Sequence, residues 1–206
     1  MWETIKDIFK PESIIEYGGL ALLLFVVFAE TGLFIGFFLP GDSLMFLSGL
    51  LCRSKPFLLH DIPLVPLLIC LISSAVLGNI AGYWFGYKAG PAIFKREDTL
   101  LFKKSYVELT KVFYDKHGGK ALILGRFLPI IRTFAPILAG VIKVDLRIFM
   151  LYNIIGAAGW VVSLGLCGYF LGQYEWVQNN IGSIVIGLII VTLIPLATSW
   201  FKRKMR

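Results

Sequence analysis

Two arginines and two prolines lie inside one apolar run, Gly125-Arg126-Phe127-Leu128-Pro129-Ile130-Ile131-Arg132-Thr133-Phe134-Ala135-Pro136-Ile137-Leu138-Ala139-Gly140. An arginine at the centre of a bilayer-spanning helix costs roughly 2.5–3.5 kcal/mol on insertion scales, so a residue kept there has a task. Six steps of about 100° put Arg126 and Arg132 on different faces of a continuous helix. They share a site only if the helix breaks between them. Pro129 lies midway, lacks an amide donor and disfavours helical geometry at the residue before it. Broken backbone at membrane depth survives only where protein or a water-filled cavity satisfies its polar groups. The stretch therefore reads as a re-entrant hairpin lining a polar site, broken at Pro129 and Pro136.

The rest of the composition agrees with a bilayer as solvent. Of 206 residues, 57% are hydrophobic and only 16% charged, outside the balance of a soluble domain. The formal net charge is +7, but the basic residues flank apolar segments and end the chain as Lys202-Arg203-Lys204-Met205-Arg206. That distribution suits membrane orientation and anionic headgroups and argues against nucleic acid. The first seven residues are polar and mixed in charge, without the apolar core and small-residue cleavage site of a signal peptide. Cys52, Cys70 and Cys167 show neither framework nor metal spacing and read as packing residues.

Taken in order, the chain predicts an all-α integral membrane protein. Residues 1–14 suit a short interfacial helix. An apolar run from Gly18 to Leu39 is interrupted by Glu30, and a second, Ser43 to Cys52, follows Pro40-Gly41-Asp42 and is too short to cross. Together they read as a helix plus a hairpin broken at Pro40 and Gly41. Leu64 to Tyr87 is long enough to span, and Gly78, Gly82, Gly86 and Gly90 at four-residue spacing let another helix approach closely. The polar connection 88–120 carries eight Lys or Arg against four Asp or Glu, so it should be cytoplasmic. Within it, Phe102, Tyr106, Leu109 and Phe113 suggest an amphipathic interfacial helix. The hairpin region 121–142, a basic link with Lys143 and Arg147, a span from Ile148 to Leu171, and an outside link 172–180 with Glu175 and no basic residue follow. A last span, 181–201, returns to a cytoplasmic C-terminus. With both flanking basic links inside, residues 121–142 must enter and leave on one side.

A repeat is visible. Phe38-Leu39-Pro40 is echoed by Phe127-Leu128-Pro129, and Gly82-Tyr83-Trp84-Phe85-Gly86 by Gly168-Tyr169-Phe170-Leu171-Gly172. One membrane domain, 1–206, then contains repeat 1 (about 15–90), a linker (about 91–120), repeat 2 (about 121–175) and the final helix. Parity makes the repeats inverted, an arrangement found in transporters with the substrate near the midplane.

Glu30, Asp42, Arg126 and Arg132 are the ionisable groups placed well inside apolar segments, and unpaired they would cost on the order of 10 kcal/mol together. They should meet one another or a ligand. Planar guanidinium donors suit a phosphate, and carboxylates in low dielectric can take up and release protons. Arg126 and Arg132 are therefore candidates to hold an anionic headgroup, with Glu30 and Asp42 as charge partners or proton carriers. Buried salt bridges that only hold the hairpins together are the alternative. His60 and His117 fall in polar connections. No nucleophile-base set, nucleotide loop or zinc spacing is present in the sequence, so neither enzymatic activity nor a metal or cofactor is expected.

At Glu30-Thr31-Gly32, Phe38-Leu39-Pro40-Gly41-Asp42, the Gly78 to Gly86 motif, Gly125 to Thr133 and Ala139-Gly140, the sequence resembles the DedA family of bacterial membrane proteins. The family's shared domain is also similar to that of eukaryotic lipid scramblases of the endoplasmic reticulum. The resemblance covers about residues 15–175. It implies opposed re-entrant hairpins in the bacterial cytoplasmic membrane and, for several members, return of undecaprenyl phosphate from the outer to the inner leaflet. It also implies a link to the proton motive force, with Glu30, Asp42, Arg126 and Arg132 at the essential charged positions. Protons or sodium are the expected coupling ions, and a homo-oligomer is open. A proton-coupled exporter of small ions or drugs, and a non-transporting envelope scaffold, are the competing functions.

Overall fold

The computed structural model describes residues 11–33, 41–52, 62–95, 123, 126, 129–184 and 187, and all regular structure among them is helical. Helices α1 (Pro11–Gly32), α2 (Gly41–Leu51), α3 (Leu64–Lys95), α4 (Pro129–Val141), α5 (Leu146–Leu171) and α6 (Glu175–Asn179) follow in order. Leu64–Gly90 and Leu146–Leu171 are long and apolar enough to cross a bilayer. The chain is thus an all-α integral membrane protein. At about 1.5 Å per residue, α2 is about 16 Å and α4 about 20 Å long, too short to cross a core of about 30 Å.

Several boundaries depart from the sequence reading. Within the first apolar run α1 is broken at Gly19, whose φ of 56° is natural to glycine, and its helical pattern ends at Gly32, with residues 34–40 outside the described residues. The second span continues past Tyr87 to Lys95, running through Gly90 and Pro91. Pro136 does not break the hairpin. It lies inside α4, where it cannot supply the helical bond to the Arg132 carbonyl yet leaves the helix continuous. Pro129 opens α4 instead, at a position where a missing amide is harmless. The link 172–180 contains the one-turn α6. Cys52 is buried but Cys167 is exposed, so core packing does not describe Cys167. Pro40, His60, His117, the amphipathic segment around Phe102 to Phe113 and most of the final span lie outside the described residues.

The chain packs as two units, one drawn from Met1–Val26, Pro40–Leu71 and Val161–Arg206, the other from Val27–Leu39 and Ile72–Trp160. In the first unit α2 lies on the C-terminal half of α5. A Cβ on Gly168 would run into the Phe46 carbonyl and come 3.1 Å from the Leu50 nitrogen, and one on Gly49 would overlap Gly165. In the second, α4 lies on the C-terminal half of α3 through Gly82, Gly86 and Gly90, against Pro136, Ile137 and Val141. The two glycine-tyrosine motifs therefore do matching work. Each seats a short helix that comes from the opposite half of the chain.

The second unit is closed by the turn between α4 and α5. Lys143 N donates to Gly140 O (3.1 Å) and Val144 N to Ala139 O (2.9 Å), with Lys143 at φ 55°. This is a Schellman ending with lysine in the place usually taken by glycine. Asp145 then caps α5, accepting from Arg147 N (2.9 Å) and Ile148 N (3.2 Å). Tyr83, buried against Ala135, Ala139 and Phe149, donates its hydroxyl to Val144 O at 2.7 Å. Tyr83→Phe should destabilise the protein by about 1 kcal/mol, the net worth of one hydrogen bond, read as a lower unfolding midpoint in detergent with the oligomeric state unchanged.

Candidate functional site

In the second unit three of the four charges selected from the sequence are buried side by side. Glu30 is 2% exposed, Arg126 3% and Arg132 5%. Arg132 Nη2 donates to Glu30 Oε1 in a salt bridge. Both guanidiniums face the buried indole of Trp160, Arg132 with its central carbon 4.5 Å from the ring centroid and Arg126 at 5.9 Å. On a continuous helix the two arginines would diverge by about 120°. Here Arg132 lies in α4 and Arg126 precedes that helix, with residues 127–128 outside the described residues, and both guanidiniums reach one indole. Asp42 lies in the first turn of α2, in the other unit, where it is half-buried; Gly41 is the buried first residue of that helix.

Arg126 is held quite differently from Arg132. Its Nη1 donates to the backbone carbonyl of Asn153 (3.0 Å) and its Nη2 to Asn153 Oδ1 (3.0 Å). Asn153 in turn donates its Nδ2 to the Val76 carbonyl (3.2 Å), tying α5 to α3. Asn79, also buried, closes the set. In one amide orientation its Nδ2 donates to Asn153 Oδ1 (2.8 Å); in the other it donates to the Thr31 carbonyl (3.0 Å) and its oxygen accepts from Arg126 Nη2. Gly156, one turn along α5 from Asn153, leaves room for the Arg126 stem: a Cβ there would stand 3.6 Å from Arg126 Cδ. Among the described residues every hydrogen-bond partner of Arg126 is an uncharged oxygen.

The end of α1 is docked to carry Glu30 into this cluster. Gly32 and Gly78 meet backbone to backbone, and a Cβ on Gly78 would come 2.5 Å from the Phe28 carbonyl. Thr31 turns its hydroxyl back onto the Val27 carbonyl (2.9 Å). Charge in an apolar run located Glu30, Arg126 and Arg132. Asn79, Asn153 and Trp160 were missed as site residues, although an asparagine within an apolar span is the same signal in weaker form. Among the described residues no cluster of His, Cys, Asp or Glu could hold a metal ion.

A family model described as the VTT domain matches residues 39–170. Protein DedA of Escherichia coli K12 is 38% identical over 191 residues, covering 92% of this chain and 86% of its own. The chain belongs to the DedA family. An uncharacterised membrane protein of Mycobacterium tuberculosis H37Rv is 40% identical over 177 residues, covering 86% of this chain and 76% of its own. The inner membrane protein YghB of Escherichia coli K12 is 29% identical over 177 residues, with 84% and 78% covered. No solved structure matches. The VTT match takes in α2 to α4 and nearly all of α5, so Asn79, Arg126, Arg132, Asn153 and Trp160 lie within the matched region, and Glu30 precedes it.

Proposed function

We propose that this DedA-family protein carries a polyprenyl phosphate, undecaprenyl phosphate, from the outer to the inner leaflet of a bacterial cytoplasmic membrane, with its C-terminus on the cytoplasmic side. The observation that supports this reading is the state of Arg126: a buried guanidinium that donates to uncharged oxygens and faces the same indole as Arg132. Such a cation keeps its full charge for an incoming anion, and paired planar donors fit phosphate oxygens. The short α2 and α4 serve as the re-entrant elements that bring polar groups to membrane depth while the isoprenoid tail stays in lipid.

Glu30 supplies the other half of the cycle. While ionised it occupies Arg132 and competes with the headgroup; protonation releases Arg132 to the phosphate. Headgroup and proton thus take turns at one guanidinium. The test is movement of undecaprenyl phosphate in proteoliposomes of otherwise inert lipid. Wild type should move it faster under a pH gradient, and Glu30→Gln should move it at a rate that no longer responds to that gradient. Proton or drug flux in vesicles lacking any prenyl phosphate, with no lipid movement when it is present, would replace this reading with the ion exporter.

A further inference from the structure

The sequence pointed to charges, but the groups that fix Arg126 are two amides on two different spanning helices. A carboxylate would hold a buried arginine more strongly than an amide does. It would also cancel the charge. Amide and carbonyl oxygens give the guanidinium its geometry and leave its net charge intact. Asn153 does this with two oxygens of one residue, its backbone carbonyl and Oδ1, each 3.0 Å from a different Nη of Arg126. Its own Nδ2 is anchored on the Val76 carbonyl (3.2 Å), so the amide cannot swing away without giving up a bond in a dry interior. Asn79 Nδ2 donates to the same Oδ1 at 2.8 Å; turned over, Asn79 gives up that bond, offers its oxygen to Arg126 Nη2 and donates to the Thr31 carbonyl beside Glu30.

We infer that Asn153 and Asn79 are positioning residues that form a neutral oxygen cradle for Arg126, presenting an uncancelled positive charge to a phosphate monoester. The inference rests on the phosphate reading above and adds to it which residues make the arginine an anion site rather than half of an ion pair. It also separates the arginines by role. Arg126 is the standing receptor, and Arg132 is the one that Glu30 can occupy.

Isosteric acids test it. Asn153→Asp and Asn79→Asp keep side-chain size and the hydrogen bond to Arg126 but place a negative charge on it. Each also loses an amide donor, Asn153→Asp the one to Val76 O and Asn79→Asp the one to Asn153 Oδ1 or, turned over, to Thr31 O, so the two variants disturb different neighbours and test the inference independently. Wild type and both variants are purified, their melting temperatures measured, and binding determined for inorganic phosphate in detergent and for undecaprenyl phosphate in nanodiscs. The expected result is that each variant that melts like wild type binds phosphate at least tenfold more weakly. A variant that melts like wild type and binds within threefold of it overturns the inference, as does failure of both variants to fold, which would make the amides fold determinants only. Wild-type binding of the lipid but not of inorganic phosphate places the source in the membrane; the reverse overturns the lipid reading while the variants still judge the cradle. Wild-type binding of neither overturns both.

Discussion

Arg126→Lys should reduce headgroup movement by about 100-fold or more while the protein still folds. Lysine keeps the positive charge but has one tetrahedral ammonium where arginine has a planar fork. It cannot donate to both the Asn153 carbonyl and Asn153 Oδ1, face Trp160 with a flat cation and still offer paired donors to a phosphate. Losing one or two charge-assisted hydrogen bonds of about 1.5–3 kcal/mol each accounts for a change of that size. The measurement is transport in proteoliposomes alongside a thermal melt in detergent. A scaffold in which Arg126 merely supplies charge tolerates the change, so wild-type rates in Arg126→Lys would remove the phosphate fork from consideration.

Gly86→Val should be the most damaging change away from the charges. A Cβ at Gly86 would penetrate the Ile137 carbonyl oxygen and stand 2.8 Å from its carbon, so α4 must lift off α3. Overpacking of this kind typically costs 1–3 kcal/mol, and here a backbone rather than a flexible side chain is in the way. Gly140 makes the reciprocal approach, with a Cβ 2.7 Å from Tyr87 N, so the seam between α3 and α4 is backbone against backbone on both sides. We expect loss of monodisperse protein on gel filtration and a fall in melting temperature. Gly159→Ala is the control. It sits on an exposed face with nothing within 4 Å of its Cβ, and the change should be silent or stabilise by up to about 1 kcal/mol.

The contrast between these glycines marks how far the site and the fold were legible beforehand. Four-residue spacing identified Gly78, Gly82, Gly86 and Gly90 as a stripe, and each meets a close neighbour. Spacing could not say which helix each would meet. Gly78 receives the end of α1 and so places Glu30, Gly82 meets both the Gly32 carbonyl and α4, and Gly86 and Gly90 receive α4 and so place Arg132. Pro136 shows the opposite error. A proline in an apolar run reads locally as a break, yet packing on α3 holds α4 helical through it. Tertiary contact supplied the stability that the missing hydrogen bond removed.

By itself the sequence determined that this chain is a helical membrane protein, since its composition leaves no other solvent for it. It also singled out Glu30, Arg126 and Arg132, which the fold buries, because the cost of a charge in an apolar run is a property of each residue and its neighbours in the chain. Partnership was decided only in three dimensions. The hydrogen bonds that tie Arg126 to Asn153, 27 positions away, and Arg132 to Glu30, 102 positions away, depend on how the end of α1 and the helix α4 dock on α3. No local pattern encodes those directions. The glycine contacts fix them, and they turn two similar arginines into one held by neutral amides and one held by a carboxylate.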